Sequence, residues 1–386
     1  MSDDGLRVLA IEPFYGGSHA QFLDDWSEHS RHDWTLWTLP DRHWKWRMRQ
    51  SAVHFADLFQ AADQTWDIIV ASDMLNIAEF RGLASTAGRL PLVLYFHENQ
   101  LTYPVRNDRE RDLHYHLTNI TSALAADEIW FNSQFHRRAF TGAIDPLLAQ
   151  FPGPRLTDVS RRIVERSRVE WPGVSGGGGP PQRDEGPLHI AWAGRWEHDK
   201  NPSAFFAAIA ELGQRRPFRL SVLGQSFANS PPCFAEAREQ FVDAIEHWGF
   251  VESRRDYLQV LATADVFVST AVHEFFGLSA VEAMMHCSVV LLPDRLSYPE
   301  LLGPLAARYT YGGSSREGEE IDRLVARLSE LAQLKRGGRW HCGHAELSRR
   351  AGVFQVERRA AEMDARLDEV VKRFSSRLPG GDGASG

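Results

Sequence analysis

The chain has 386 residues, 43% hydrophobic and 24% charged, which is the balance of a soluble globular protein with room for two domains. Its formal net charge of −8 argues against a generic nucleic-acid coat and leaves room for a local basic patch. Cys233, Cys287 and Cys342 are far apart and form no Cys-x-x-Cys pair, so neither a zinc site nor a disulfide framework is expected.

The opening MSDDGLRVLAIEPF does not have the pattern of a signal peptide. No apolar stretch approaches a membrane span, and a reducing cytoplasmic location is the simplest expectation. Residues 6–11 (LRVLAI) read as a buried parallel strand. Glu12-Pro13-Phe14-Tyr15-Gly16-Gly17-Ser18-His19 follows, then a helix from Ala20 to Trp26. Strand, glycine turn and helix open an α/β nucleotide-binding unit. Gly16 and Gly17 suit either a tight turn or a loop that lets backbone approach a phosphate or sugar.

Residues 34–39 (WTLWTL) are a second strand. In residues 41–51 (DRHWKWRMRQS), Arg42, Lys45, Arg47 and Arg49 are interleaved with Trp44 and Trp46. That mixture suits phosphates and unstacked bases. By composition alone it suits somewhat better a surface element whose tryptophans plug the core while its arginines are solvated. Residues 66–71 and 90–96 are further strands, the latter ending in His97-Glu98-Asn99-Gln100. In open α/β sheets ligands bind outside the carboxyl ends of strands, so His97 is a catalytic candidate, with Glu98 and Asn99 beside it as acceptor candidates. A helix is expected over residues 109–126 and a strand over 128–131.

Residues 171–187 (WPGVSGGGGPPQRDEGP) read as a flexible linker. A second α/β unit then begins with the strand 188–193, and Arg195 and Lys200 flank the loop at its end. A diphosphate needs cations at such a place. A strand at 218–223, a helix at 234–245 and a short edge strand or turn at 247–251 follow. The helix at 254–264 leads into a strand around Val266. In VHEFFGLSAVEAM, Glu274 and Glu282 flank the Phe276-Gly277-Leu278 step, and the helix that begins there offers free amides to an anion. Glu282 suits ribose hydroxyls and Glu274 sugar hydroxyls. No Asp-x-Asp triplet is present, which argues against a metal-bridged diphosphate. Neither a Walker loop nor Gly-x-Gly-x-x-Gly occurs where it would be needed.

Glu274 and Glu282, with Phe276 and Gly277 between them, resemble the paired-glutamate signature of retaining GT-B glycosyltransferases. Arg195 and Lys200 match the diphosphate pair of that superfamily. IEPFYGGSH, TLPDRHWKWRMRQSA, LYFHENQLTYPV, FNSQF, GRWEHDKNP, HWGF and STAVHEFFG together resemble the tRNA-queuosine mannosyltransferase family, over about residues 6–300. The resemblance implies an α/β, GT-B fold: two Rossmann-like domains with a donor/acceptor cleft between them. It implies an acceptor domain at 1–170, the linker at 171–187 and a donor domain at 188–345. From the sequence itself, residues 353–374 read as an amphipathic helix within a C-terminal segment, 346–378, that would pack back on the first domain, ahead of a disordered tail at 379–386.

The same resemblance implies GDP-mannose as donor and queuosine of tRNA-Asp as acceptor, with retention through a same-face displacement assisted by the leaving phosphate. Neither a metal cofactor nor a protein partner is implied. Catalytic roles fall to His97 and Glu274. Donor binding falls to Gly16, Gly17, Arg195, Lys200, Phe276, Gly277, Leu278 and Glu282. Contact with tRNA falls to Arg42, Trp44, Lys45, Trp46, Arg47 and Arg49. The alternatives are a GT-B enzyme with another acceptor or nucleotide-sugar, and a tRNA-binding protein without catalysis.

Overall fold

The computed structural model describes residues 5–104, 112–176, 184–227, 229–287, 289–313, 316–338 and 343–377. The chain divides into two compact units, residues 1–173 with 356–386, and residues 174–355.

The first unit runs β1 (Arg7–Tyr15), α1 (Gly17–His29), β2 (Asp33–Pro40), α2 (Trp44–Ala61), β3 (Ile68–Ser72) and α3 (Ile77–Leu83). It continues with β4 (Leu92–Phe96), α4 (Leu113–Ala125), β5 (Glu128–Phe131), α5 (Gln134–Leu148), α6 (Val159–Val164) and β6 (Ser167–Val169). Its strands form one parallel sheet in the order β2-β1-β3-β4-β5-β6. Alternate residues of each strand serve opposite faces. Leu9 and Ile11 pack toward Phe55 and Phe80, whereas Val8 and Ala10 pack toward Phe22 and Trp26. Both faces are covered, so the strands read as unbroken apolar runs. The chain order reverses across β1 and β3, and the carboxyl ends of those strands are where such sheets bind ligands.

The second unit runs β7 (Leu188–Ala193), α7 (Pro202–Gly213), β8 (Phe218–Leu223), α8 (Cys233–Gln240), β9 (Ile245–Gly249), α9 (Arg254–Thr263) and β10 (Val266–Val268). Then come α10 (Leu278–His286), β11 (Val289–Leu291), α11 (Tyr298–Leu302), α12 (Ala306–Tyr309), α13 (Glu317–Arg336) and α14 (His344–Ala351). The sheet is parallel with order β11-β10-β7-β8-β9, so its switch point lies between β7 and β10.

The last helix, α15 (Val356–Ser375), belongs to the first unit. Ala360, Met363, Leu367 and Val370 recur at helical spacing and bury against Phe22 and Trp26 of α1. Burial of Met363, Leu367 and Val370 contributes about 1.5–3 kcal/mol each, and the Ala360 methyl less. Buried Asp364 accepts from Trp26 Nε1 (2.9 Å), Ser30 Oγ (2.8 Å) and the Arg31 amide (2.8 Å). Arg359 pairs with Glu170 at 2.8 Å.

The boundaries differ from the sequence reading at several points. The change of unit near the C-terminus falls between Gln355 and Val356 rather than at 346, because α14 packs on α10 within the second unit. The earlier change falls between Gly173 and Val174, where Val174 bridges to Gln355. The expected linker lies partly, and the expected tail wholly, outside the described residues. The helix expected over 234–245 ends at Gln240, because Ile245 is already paired with Leu220 of β8. The helix expected from Arg109 begins at Leu113, where the Asp112 side chain accepts from the His114 amide. Arg109 itself lies outside the described residues.

Candidate functional site

In the second unit, the carboxyl ends of β7 and β10 bring together Lys200 and Glu274. Asn201 adopts φ +47° and caps α7 by accepting from the Ala204 amide, with Pro202 at the first helical position. Thr270 Oγ1 donates to the carbonyls of Lys200 (2.9 Å) and Asn201 (3.0 Å), tying this loop to the end of β10. The Lys200 ammonium donates to Glu274 Oε2 (3.1 Å) and the His273 carbonyl (3.1 Å), and lies 3.1 Å from Asp199 Oδ2. Burial opposes its charge, but Glu274 and Asp199 outweigh burial and raise its pKa. Burial and the Lys200 charge push His273 down to about 4, leaving a neutral imidazole. Arg195 is exposed and sits 3.3 Å from Glu197.

Gly277 caps α10 with φ +97°, and a β-carbon there would lie 3.1 Å from the Tyr298 ring. The left-handed φ favours glycine, and the tight contact adds to that preference. Phe276 is buried, and its carbonyl accepts from Ser297 Oγ at 2.5 Å. Leu278 is half-buried at the first helical position, in the turn whose amides have no intrahelical acceptor. Glu282, one turn on, is buried: Oε1 accepts from Arg254 Nη1 (2.8 Å) and Oε2 from the Tyr257 hydroxyl (2.9 Å). Glu274 and Glu282 therefore have separate protein partners. Sequence reading missed Asp199, His273, Arg254 and Tyr257. The arginine and tyrosine sit in α9, where their spacing from Glu282 carries no signal. Cys287, at the end of α10, is buried and donates to the Leu261 carbonyl.

In the first unit, the carboxyl ends of β1, β3 and β4 converge on a buried polar cluster. Glu12 is fully buried: Oε1 accepts from the Phe14 amide (2.8 Å) and Ser72 Oγ (2.9 Å), and Oε2 lies 3.1 Å from His19 Nδ1. The His19 ring stacks on His97 with centroids 4.0 Å apart. Asp73 Oδ1 accepts from the His97 amide (2.8 Å), and the His97 carbonyl accepts from Asn132 Nδ2 (2.8 Å). Asp73 Oδ2 is buried with no hydrogen-bond partner among the described residues.

Charge in this cluster is sorted by burial. Burial pulls His19 down, but Glu12, with Asp73 and Glu98 behind it, wins and lifts it to about 9. Burial, the His19 charge and His136 hold His97 well below its usual range. Burial raises Asp73 to about 8 despite His19. Glu12, His19 and His97 are the group, among the described residues, whose ring nitrogens and carboxylate oxygens lie within 4.8 Å of one another, a spacing a metal ion can bridge. The His19–Glu12 hydrogen bond already occupies two of those atoms.

Sequence reading found His97 but missed Glu12, His19 and Asp73. The signal for Glu12 is a charge that interrupts an otherwise apolar strand. Asn99 is fully buried; its amide nitrogen donates to Thr102 Oγ1 (2.9 Å) and its amide oxygen accepts from the Thr102 amide (2.9 Å). Glu98 Oε1 accepts from Gln100 Nε2 (3.0 Å). Gly16 is the extended cap of α1, with Asp41 filling the space a β-carbon would need, and Gly17 has φ +53°.

The basic-aromatic segment divides between the two readings of its sequence. It starts α2, capped by His43 at φ +54°. Trp44 packs on Tyr115 (centroids 5.1 Å) beside buried Met48, as a core plug does. Trp46 is 64% exposed, and Arg42, Lys45 and Arg49 are exposed too. Arg49 lies 4.8 Å over the Tyr115 ring and 3.5 Å from Asp112. Half-buried Arg47 donates to the Pro40 carbonyl (3.2 Å).

The family model for the tRNA-queuosine alpha-mannosyltransferase N-terminal region matches residues 7–174, and that for glycosyl transferases group 1 matches residues 180–336. A tRNA-queuosine alpha-mannosyltransferase of Drosophila melanogaster is 36% identical over 308 residues, covering 76% of this chain and 81% of that protein. The chain belongs to the tRNA-queuosine alpha-mannosyltransferase family. It is a hexosyltransferase with the GT-B fold. Anabaena HepE, solved with UDP and glucose, superposes with TM-score 0.66 at 17% identity, covering 94% of this chain and all of that one. Sucrose-phosphate synthase from Thermosynechococcus elongatus superposes with TM-score 0.65 at 14% identity, covering 95% of this chain and all of that one. These two likenesses speak for the fold alone. The family's N-terminal region takes in Glu12, His97 and the start of α2, and the group 1 region takes in Lys200, Glu274 and Glu282. No helix among the described residues is long and apolar enough to cross a membrane.

Proposed function

We propose that the protein transfers mannose from GDP-mannose to queuosine at the wobble position of tRNA-Asp, in the cytoplasm, with retention at the anomeric carbon. The observation that carries the donor half is Lys200 held on Glu274 before the amide-bearing start of α10. Lys200, with exposed Arg195 beside it, neutralises the diphosphate as the sugar leaves, without a resident metal. Glu274 accepts from mannose hydroxyls, aided by the amides around Phe276, Gly277 and Leu278. Glu282 accepts from ribose, and Gly16 and Gly17 approach the donor with backbone only.

His97 hydrogen-bonds the reacting sugar as a neutral imidazole, with Glu98 close by. Family membership carries the acceptor half, and exposed Arg42, Lys45, Trp46 and Arg49 at the start of α2 supply the phosphate- and base-contacting chemistry it needs. Arg47 adds charge beside them, and Trp44 anchors the helix on Tyr115. The reaction joins the anomeric carbon to a queuosine hydroxyl oxygen, breaks the bond from that carbon to the phosphate, and passes the hydroxyl proton to the departing phosphate.

GDP release measured with queuosine-containing and queuosine-lacking tRNA-Asp tests this. Release that depends on queuosine is expected. Equal release with both tRNAs, or transfer to a lipid or saccharide instead, contradicts it.

A further inference from the structure

His97 is enclosed on several sides by groups that family membership does not explain. Its ring stacks on His19 (4.0 Å, 29° between planes), meets Phe22 edge-on (5.0 Å, 83°) and lies 4.7 Å from the Tyr95 ring. Its Nε2 faces Glu12 Oε2 at 3.9 Å. Glu12 is itself immobilised by the Phe14 amide, Ser72 Oγ and His19 Nδ1. Three elements, β1, the end of β3 and α1, thus hold the Glu12 carboxylate beside His97 at the end of β4.

We propose that Glu12 and His19 are the positioning pair of His97. Glu12 selects the tautomer protonated at Nε2, and His19 fixes the ring plane, so that Nδ1 is the nitrogen left to accept from a substrate hydroxyl. The 3.9 Å separation is longer than a hydrogen bond, and such contacts commonly tighten only when substrate binds. The logic is that of a carboxylate orienting a histidine from behind, with a second histidine added to carry the positive charge.

Charge supports the geometry. Glu12, Asp73 and Glu98 all face His19 and favour its proton, whereas His19 and His136 both face His97 and disfavour one there. A proton added to the cluster is therefore retained on His19, and His97 remains an acceptor. The inference rests on His97 acting on the sugar.

The test uses the full chain. Long-range proton–nitrogen NMR of the His97 ring, assigned by difference against H97Q, is followed from about pH 5 to pH 9 in the wild type, E12Q and H19Q. Turnover is measured over the same range for these proteins and for H97A. The wild type is expected to show one neutral tautomer, protonated at Nε2, throughout. E12Q is expected to show mixed tautomers. H19Q, which removes a neighbouring positive charge, is expected to let His97 protonate at higher pH and to lose about tenfold or more in kcat on the acid side; E12Q, through its mixed tautomers, is expected to lose about tenfold or more in kcat across the range, both with the donor KM changed less than about twofold. E12D, which keeps the charge, is expected to recover part of the loss.

A wild-type ring protonated at Nδ1, or His97 spectra and acid-side kcat in E12Q and H19Q matching the wild type, overturns the proposal. So does a stoichiometric divalent ion in the purified protein whose removal abolishes turnover, because Glu12 would then serve the ion rather than His97. Undiminished turnover in H97A overturns the reading of His97 itself. Loss in H97A with wild-type behaviour in E12Q and H19Q overturns only the positioning pair.

Discussion

Lys200 and Gly277 show how single residues set charge and backbone geometry after β7 and at the start of α10. Lys200 stays charged through neutral pH because Glu274 and Asp199 outweigh its burial. K200M is expected to lower kcat/KM for the donor by about a hundredfold, measured with saturating tRNA. At Gly277 the left-handed φ strains any side chain, and a β-carbon would crowd the Tyr298 ring at 3.1 Å. G277A is expected to cost about 1–3 kcal/mol in denaturant unfolding. Histidines set the pH dependence of stability. His19 is raised to about 9, so its contribution is complete below its unfolded pKa of about 6.5 and is lost as pH rises through the folded value. Asp73, raised to about 8, acts in the same direction over this range. His273, lowered to about 4, has the opposite sign and costs stability as pH falls from about 6.5 toward 4. Unfolding free energy is therefore expected to decline from about pH 6.5 to pH 9, and H19Q to decline less. An undiminished decline in H19Q would contradict the His19–Glu12 pairing. Glutamates 274 and 282 were legible in the sequence because a glycine step and a helix start follow one and precede the other. Glu12, His19 and Asp73 were not, because their relation exists only across three strand ends.

At the scale of elements, α2 and α15 carry the clearest consequences. The start of α2 mixes a plug, Trp44, with exposed Arg42, Lys45 and Trp46, and no residue-by-residue reading of DRHWKWRMRQS separates the two roles. The helix period does, because Trp44, Met48 and Ser51 turn inward together. R42A with K45A is expected to weaken tRNA binding and to flatten its dependence on log salt by about 1–2 units of slope. W46A is expected to weaken binding with little change in that slope. An unchanged affinity would leave α2 a purely structural helix. In α15, Asp364 answers three donors from the end of α1 and the turn after it. D364A leaves them unpaired and is expected to destabilise by about 2–4 kcal/mol, read by guanidinium unfolding. The amphipathic pattern of α15 is readable, with a start expected at Val353 against the observed Val356, but the change of unit is not: the stretch from 346 contains α14, which has an apolar stripe of its own and packs on α10. The same competition shortened α8, whose helical spacing runs on to Ile245 until strand pairing with β8 overrides it.

For the molecule as a whole, the two parallel sheets and their order follow from apolar strand runs alternating with helical periods, and these were visible along the chain. Where the chain changes unit was not, because Val174 and Gln355 meet only in the fold. The proposed function divides along the same line. The second unit holds Lys200, Glu274 and Glu282, to which the proposal assigns the nucleotide-sugar, and the first holds His97 with its polar cluster and the exposed start of α2. Donor chemistry is written in short motifs, whereas the acceptor is carried by family membership and by surface residues that phosphate and base would recognise. The central claim is therefore the acceptor. The measurement that tests it most directly is mass analysis of nucleosides from tRNA-Asp of the host with and without the gene. A hexose carried on queuosine only when the gene is present, and restored by the purified protein with GDP-mannose, is the expected result. Identical queuosine in both strains, with no hexose added by the purified protein, would contradict it.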